Sequence, residues 1–400
     1  MTLRFFTAGE SHGPALVGIV EGLPAGLNID VETINRDLAR RQIGVGRSAR
    51  MRIENDRAEI LGGVVNGKTI GAPIALKIEN LDYENWNASR KTVPKQTIPR
   101  PGHADLAGAI KYGFDDLRMV AERASARETA MRVACGSLAR ILLSEFGIVV
   151  GSHVLEIGGI LARVPQVSYL EIFSRAQSSA VCVADEPSTE KIRAHIEQVM
   201  RDKDTVGGVI EIIALNVPIG LGSHVHWDRK LDGRLAQAVM SIQSVKGVEI
   251  GDAWENAKKL GTQVQDEIVV NDKWIMTNDK SQIPITNYQS LISRTMNRAG
   301  GLEGGITNGM PIVIRAALKP IATTATPLHS IDLATGEPAL AQYQRSDFCH
   351  VPRACVIGES MVALVLADAL MEKLGGDSIG EMHQRIAPRN EHLPLRAVQG

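Results

Sequence analysis

A run of small residues inside a helical stretch narrows the fold more than any other feature of this 400-residue chain. The pattern from about Leu117 to Phe146 predicts one long helix that stops at Gly147. Its first half carries Ala121, Ala124, Ser125, Ala126, Ala130, Ala134 and Gly136. Side chains this short let the helix pack closely against another backbone or a ligand. Composition points the same way. Glycine accounts for 38 residues, near one in ten against a usual ~7%, while aromatic residues make up only 4%. Backbone conformation and close approach therefore matter more here than aromatic stacking.

Hydrophobic residues, at 44%, suffice for a sizeable core. With 44 basic and 45 acidic side chains and a formal net charge of −1, no global field draws the chain to nucleic acid or an anionic membrane. Neither is expected as a partner, and any anion site must come from local clustering. The longest charge-free stretch, from Ile212 to Trp227, is interrupted by Pro218, Gly220, Gly222 and two histidines. A membrane helix needs ~20 mostly apolar residues, so none is expected. The first ten residues lack a basic and then apolar leader pattern, which makes a cytoplasmic location the expectation. Cys135, Cys182, Cys349 and Cys355 form no C-x-x-C pair and read as reduced thiols, with no metal site.

No linker, charge run or repeat period divides the chain, so one large domain over residues 1–400 is expected. Asp30 reads as the cap of a helix from Val31 to Gln42, stopped by Gly44 and Gly46. Stretches 148–157, 206–217, 267–276 and 311–318 read as strands. Further helices are expected near 188–203, 230–242, 358–373 and 377–387. This irregular interleaving predicts an α+β layered sandwich. Gly-Glu-Ser occurs at both 9–11 and 358–360, a hint of an internal repeat.

Several short constellations have the chemistry of an anion or proton-transfer site. Gly9-Glu10-Ser11-His12-Gly13 matches a nucleophile-elbow pattern, but only ten residues precede Ser11, too few for the strands that such an elbow follows. A serine beside a histidine in a glycine-flanked turn suits anion binding and proton transfer. Gly44-Val45-Gly46-Arg47-Ser48-Ala49 fits a loose dinucleotide fingerprint, yet it follows a helix where a strand is required. Between Arg36 and Arg57, seven arginines face three acids, a local net of +4 suited to bidentate capture of phosphate or carboxylate. Arg123 and Arg127 lie four apart on one predicted helical face, and Glu128 is spaced to pair with Arg132. His103 follows the Pro99-Arg100-Pro101-Gly102 turn just before a helix. The glycine-rich 300–305 stretch and Lys319-Pro320-Ile321-Ala322-Thr323-Thr324 could close together around a phosphate or a flat ring. Asp347 sits among Arg345, His350 and Arg353, cations that would keep it ionised.

In order and spacing, Gly9–Pro14, Arg40-Arg41-Gln42 with Arg47, Arg100–Asp105, Arg123–Arg132, Lys319-Pro320 and Arg345-Ser346-Asp347 resemble chorismate synthase over nearly the whole chain. The resemblance implies a β-α-β sandwich assembled as a homotetramer. It further implies a lyase of the shikimate pathway that forms chorismate from 5-enolpyruvylshikimate 3-phosphate by anti-1,4-elimination, with reduced FMN required and drawn from an outside source, NADPH being one candidate reductant. Carried over by motif, Arg123, Ala124, Ser125, Gln243, Ser244, Gly304, Lys319, Pro320, Ile321, Ala322, Thr323 and Arg345 are the flavin contacts, and Arg41 and Arg47 match NADP contacts, with the substrate anions as the alternative ligand for both. His12 is the acid for the departing phosphate, His103 donates to the reduced flavin, and Asp347 assists removal of the C6 hydrogen. Ser11 and Ser125 take supporting polar roles. The sequence departs from the family at Ala124, at Ile321-Ala322 and at Gln243-Ser244, where the usual side chains differ in polarity or size.

Overall fold

Two antiparallel sheets enclose a layer of helices in the structure, a computed structural model that describes residues 2–46, 55–84, 87, 94–270, 292–344 and 346–390. In chain order the principal elements are β1 (Arg4–Ala8), β2 (Ala15–Glu21), α1 (Val31–Gln42), β3 (Ala58–Gly62), β4 (Ile74–Glu79), α2 (Asp105–Tyr112), α3 (Arg118–Ala124), α4 (Thr129–Glu145), β5 (Val149–Ile157), β6 (Ile160–Leu161), α5 (Tyr169–Ser178), α6 (Glu186–Arg201), β7 (Gly208–Leu215), α7 (Leu231–Met240), β8 (Val245–Ile250), β9 (Ile312–Leu318), α8 (Val351–Leu374) and α9 (Ile379–Asn390). The first sheet runs β1-β2-β4-β3 and the second β8-β9-β7-β5-β6. Helices α4 and α8 lie back to back between them, α4 against the first sheet and α8 against the second.

A glycine marks each interface of this sandwich. A Cβ on Gly18 in β2 would stand 2.5 Å from Met131 Sδ of α4. One on Gly136 in α4 would stand 2.4 Å from Ser360 Cβ of α8, and one on Gly358 in α8 would stand 2.5 Å from Ile212 Cδ1 of β7. Real Cβ atoms do not approach so closely: a side chain at Gly18 or Gly358 would push aside Met131 or Ile212, and one at Gly136 would meet the Ser360 backbone, 2.7 Å from its Cα. The α+β sandwich expected from the sequence is therefore present, and its core runs continuously from Leu16 and Leu76 through Leu138 to Leu366 and Ile314.

Capping by Asp30 fixes the start of α1, its Oδ1 accepting the Glu32 N–H at 3.0 Å. Three readings of the sequence change. The long helix from Leu117 is broken: Ser125 is extended (φ −60°, ψ 139°), a 3₁₀ turn spans Ala126–Glu128, and α4 starts only at Thr129. Ser125 Oγ accepts the Arg127 N–H at 3.3 Å, the local bond that competes with helix continuation. The first sheet went unrecognised because its strands are short and carry apolar residues on both faces: Leu16 and Val20 point inward while Phe6, Val17 and Ile19 are exposed. Finally, α8 starts at Val351 and is long and apolar enough to cross a membrane, but most of it is buried between α4, β5 and β7. The second Gly-Glu-Ser lies in its middle and the first in a turn, so the tripeptide marks no repeat.

Charge is buried where the helices meet. Glu359 of α8 is fully buried. Its oxygens accept from Arg40 Nη1 and Nη2 of α1, both at 2.7 Å, and from Ser152 Oγ of β5 at 2.7 Å. Arg140 of α4 pairs with Asp37 at 2.6 Å and with Glu359 at 3.2 Å, and Ser137 donates to Asp37 at 2.9 Å. Burial works against the charge on Arg40, but Glu359 and Asp37 more than offset it and raise its pKa. We expect Gly136→Ala to cost about 1–3 kcal/mol by overpacking and Glu359→Ala to cost about 3–5 kcal/mol by leaving two partly buried arginines to share the one carboxylate of Asp37. Urea denaturation of both variants checks this, and a smaller loss for Glu359→Ala than for Gly136→Ala would contradict it.

Candidate active site

Residues 9–13 form the turn between β1 and β2, so the serine lies between two strands and not on a strand-to-helix elbow. Two supports hold this turn. On one side α3 clamps it: Ser11 N donates to the Glu122 carbonyl at 2.9 Å, His12 N donates to Glu122 Oε2 at 2.8 Å, and His12 Nδ1 lies 2.9 Å from Glu122 Oε1. Arg123 extends the clamp by donating to Thr7 O, Thr7 Oγ1 and Gly9 O at 2.7, 2.7 and 3.1 Å. On the other side, Asn80 Nδ2 donates to Gly13 O at 2.7 Å, and its Oδ1 accepts from the buried guanidinium of Arg127 at 2.8 and 3.0 Å.

Arg123 and Arg127 consequently do not share a helical face, because the break at Ser125 separates them. Arg123 is exposed and spends its donors on β1 and the following turn, whereas Arg127 is buried on Asp56 (2.6 Å) and Asn80. The Glu128 to Arg132 pair forms as expected, at 2.8 Å. Arg41 is also buried, bonded to Thr129 Oγ1 (3.1 Å), Asp56 (3.3 Å) and Ala126 O (3.2 Å). The +4 counted from the sequence overstates what the cluster offers a ligand, since Arg40, Arg41 and Arg57 pair with Glu359, Asp56 and Glu32. Arg47 and Arg345 lie outside the described residues.

His103 heads the second group. Its Nδ1 lies 2.6 Å from Asp105 Oδ1, and Arg100 grips the same carboxylate with Nε at 2.7 Å and Nη2 at 3.0 Å. Arg100 Nη2 also lies 3.1 Å from Nδ1, but a carboxylate accepts only, so the proton sits on Nδ1 and the contact with Arg100 is proximity alone. Burial raises the Asp105 pKa, yet the bonds from His103 and Arg100 and their charges outweigh it and hold the carboxyl well below its usual range. Around this pair, Lys319 Nζ donates to Gly102 O at 3.1 Å and Arg100 Nη1 reaches Thr323 Oγ1 at 3.3 Å. Burial and the neighbouring Lys246 lower the Lys319 pKa. Ile321 O accepts from Thr205 Oγ1 at 2.8 Å, while Ala322 leaves room for the Gly102 turn.

The Gln243-Ser244 turn links the two groups. Gln243 Nε2 donates to Glu128 at 2.6 Å, and Lys319 N donates to the Ser244 carbonyl at 2.9 Å. Ser244 holds φ +72°, a left-handed conformation that a serine tolerates poorly and that presents this turn. Asp347 pairs with Arg353. The glycine-rich 300–305 turn goes elsewhere: Gly304 comes nearest to His224, and Gly305 abuts Lys230 at the start of α7. No hydrogen bond joins it to the Lys319 segment among the described residues.

Several buried polar atoms here have no partner among the described residues: Gln243 Oε1, both ring nitrogens of His350, and Arg353 Nη2. Burial and then Arg353 push the His350 pKa down to about 4, so the ring is neutral and offers one donor and one acceptor. Such orphans cost ~1–3 kcal/mol each unless a polar ligand engages them, so the set fits a large ligand with mixed donors and acceptors. Sequence reasoning missed Glu122, Asp105 as the partner of His103, and Asn80. Only Asp105 carried a signal, its spacing of two from His103.

A family model described as chorismate synthase matches residues 3–371. Chorismate synthases of Desulforudis audaxviator and Geobacter sulfurreducens are 50% and 51% identical over 397 and 389 residues. They cover 97% and 96% of the chain and 98% and 97% of their own lengths. A solved crystal structure of chorismate synthase superposes with a TM-score of 0.77 at 42% identity over 98% of both chains.

The depressed Asp105 carboxyl makes a prediction about pH. Its pKa in the folded chain lies below the usual 3.8, so its stabilisation is complete above that value and is lost as pH falls toward the folded value. Urea midpoints followed from about pH 5 to pH 2 should drop more steeply for the wild type than for Asp105→Asn. Parallel curves would show that the pair contributes nothing.

Proposed function

Because the chain belongs to the chorismate synthase family, we propose that it converts 5-enolpyruvylshikimate 3-phosphate to chorismate by anti-1,4-elimination of phosphate and the C6 hydrogen. The observation that carries this reading is the pair of histidines, His12 and His103, each backed by its own carboxylate within 2.9 Å. A carboxylate behind the ring fixes the tautomer and the ring's orientation, which is what proton delivery to a departing phosphate or to a bound anion needs.

Reduced FMN, when bound, would supply electron density to the elimination without net redox change. Gln243, Ser244, Lys319 and the 320–323 segment are the residues to hold it, a reading supported by the unpartnered Gln243 Oε1 and the partly desolvated Lys319 ammonium. His12 delivers its proton to the phosphate, and Asp347 assists loss of the C6 hydrogen. Because Nδ1 of His103 is committed to Asp105, Nε2 is the nitrogen that would donate to the flavin. The guanidinium of Arg41 is spent on Thr129, Asp56 and Ala126, so we read it as an anchor of the site. Contact with NADPH falls better to the segment that contains Arg47. A homotetramer is supported by the outer face of the first sheet, where exposed Phe6 and Ile19 stand opposite each other beside Val17, an apolar patch that a second copy would cover.

An anaerobic assay with dithionite-reduced FMN tests the activity. Chorismate should form, and His12→Ala and His103→Ala should each slow it by ~10²–10⁴ while remaining folded by circular dichroism. Near-normal turnover in either variant removes the role proposed for that residue. Light scattering tests the assembly: Ile19→Glu should reduce the particle mass, and an unchanged mass would place the interface elsewhere.

A further inference from the structure

The geometry points to Glu122 as a positioning residue for proton delivery by His12, an assignment that rests on reading His12 as the acid. Glu122 makes three contacts with the turn between β1 and β2. Its carbonyl accepts from Ser11 N, Oε2 accepts from His12 N, and Oε1 faces His12 Nδ1. One residue thereby sets the height of the turn, the position of the His12 main chain and the rotation of its ring.

A carboxylate has no proton to give, so Nδ1 carries the hydrogen and Nε2 becomes the nitrogen that acts on substrate. As the C3–O bond breaks, its electron pair leaves with the phosphate. The proton passes from Nε2 of the imidazolium to a phosphate oxygen. The ring is left neutral, with Nδ1–H still bonded to Glu122. The vacancy at C3 is filled as the ring double bond shifts toward it and the C6–H electron pair forms the second double bond, the C6 proton leaving with the assistance proposed for Asp347. Both side chains are mostly buried, at 21% and 13% exposure, where a charge-assisted bond is stronger than in water.

Glu122 is itself fixed from both ends of α3. Arg118, one turn before it, pairs with Asp116 at 2.6 Å, and Arg123, directly after it, is tied to Thr7 and Gly9. The carboxylate therefore does not depend on substrate for its placement. A structural cap alone would need only the main-chain bonds to Ser11 and His12; the bond to Nδ1 adds control of the ring.

Glu122→Gln separates these roles. An amide has one accepting oxygen and one donating nitrogen. If the oxygen keeps the His12 main-chain bond, the NH₂ faces Nδ1 and the neutral ring must carry its proton on Nε2. Solid-state ¹⁵N NMR of histidine-labelled protein, with the His12 signal assigned by difference from His12→Ala, should show an Nδ1–H tautomer in the wild type and an Nε2–H tautomer in Glu122→Gln. We expect kcat to fall roughly 10- to 100-fold with KM little changed, less than the ~10²–10⁴ of losing the acid itself. Glu122→Asp, which retains a carboxylate, should keep the wild-type tautomer and recover part of the rate. An unchanged tautomer in Glu122→Gln, with His12→Ala inactive, overturns the proposal alone. A tautomer switch in a protein whose His12→Ala variant turns over normally overturns the reading of His12 as the acid, and proton delivery with it.

Discussion

The contact of α4 with α8 at Gly136 and Ser360 sets the geometry on which the other layers depend. Two helices brought this close leave no room for a side chain between them, and the polar groups stranded at the seam must satisfy one another. Glu359 answers Arg40 and Arg140, and Asp37 answers Arg140 and Ser137. A buried network of this kind stabilises little by itself, but breaking any member leaves an uncompensated charge in a dry place. It thereby fixes the register of three helices and of Ser152 on the second sheet.

From that frame the site is suspended by a chain of side chains. Arg41, adjacent to Arg40 on α1, reaches Asp56 and Thr129. Asp56 holds Arg127, Arg127 holds Asn80, and Asn80 holds the carbonyls behind the His12 turn. The break at Ser125 makes this possible, because a continuous helix would have carried Arg127 to the same face as Arg123. The two histidines then receive the same treatment from different segments: a carboxylate fixes the proton on Nδ1, and arginines fix the carboxylate or its helix.

Parts of this arrangement were legible beforehand. The Asp30 cap, the strands at 149–157, 208–215 and 312–318, and the Glu128 to Arg132 pair follow from local chemistry and short periodicities. The first sheet was not legible, because Phe6, Val17 and Ile19 put apolar side chains on its outer face and blur the alternation of a half-buried strand. The arginine cluster was legible as charge and misjudged as supply, since a count within 36–57 cannot include Glu359 or Glu32.

The sequence by itself determined the α+β class and the family and marked the candidate chemistry-bearing residues, because each of these is written in residue type and near-neighbour spacing. Only the tertiary structure decided which carboxylate stands behind His12, which arginines are spent on buried partners, and that Gly305 abuts Lys230 at the start of α7. Glu122 is 110 positions from His12, and Glu359 is 319 from Arg40. Pairings at that separation are set by how the layers pack, and no local pattern encodes them.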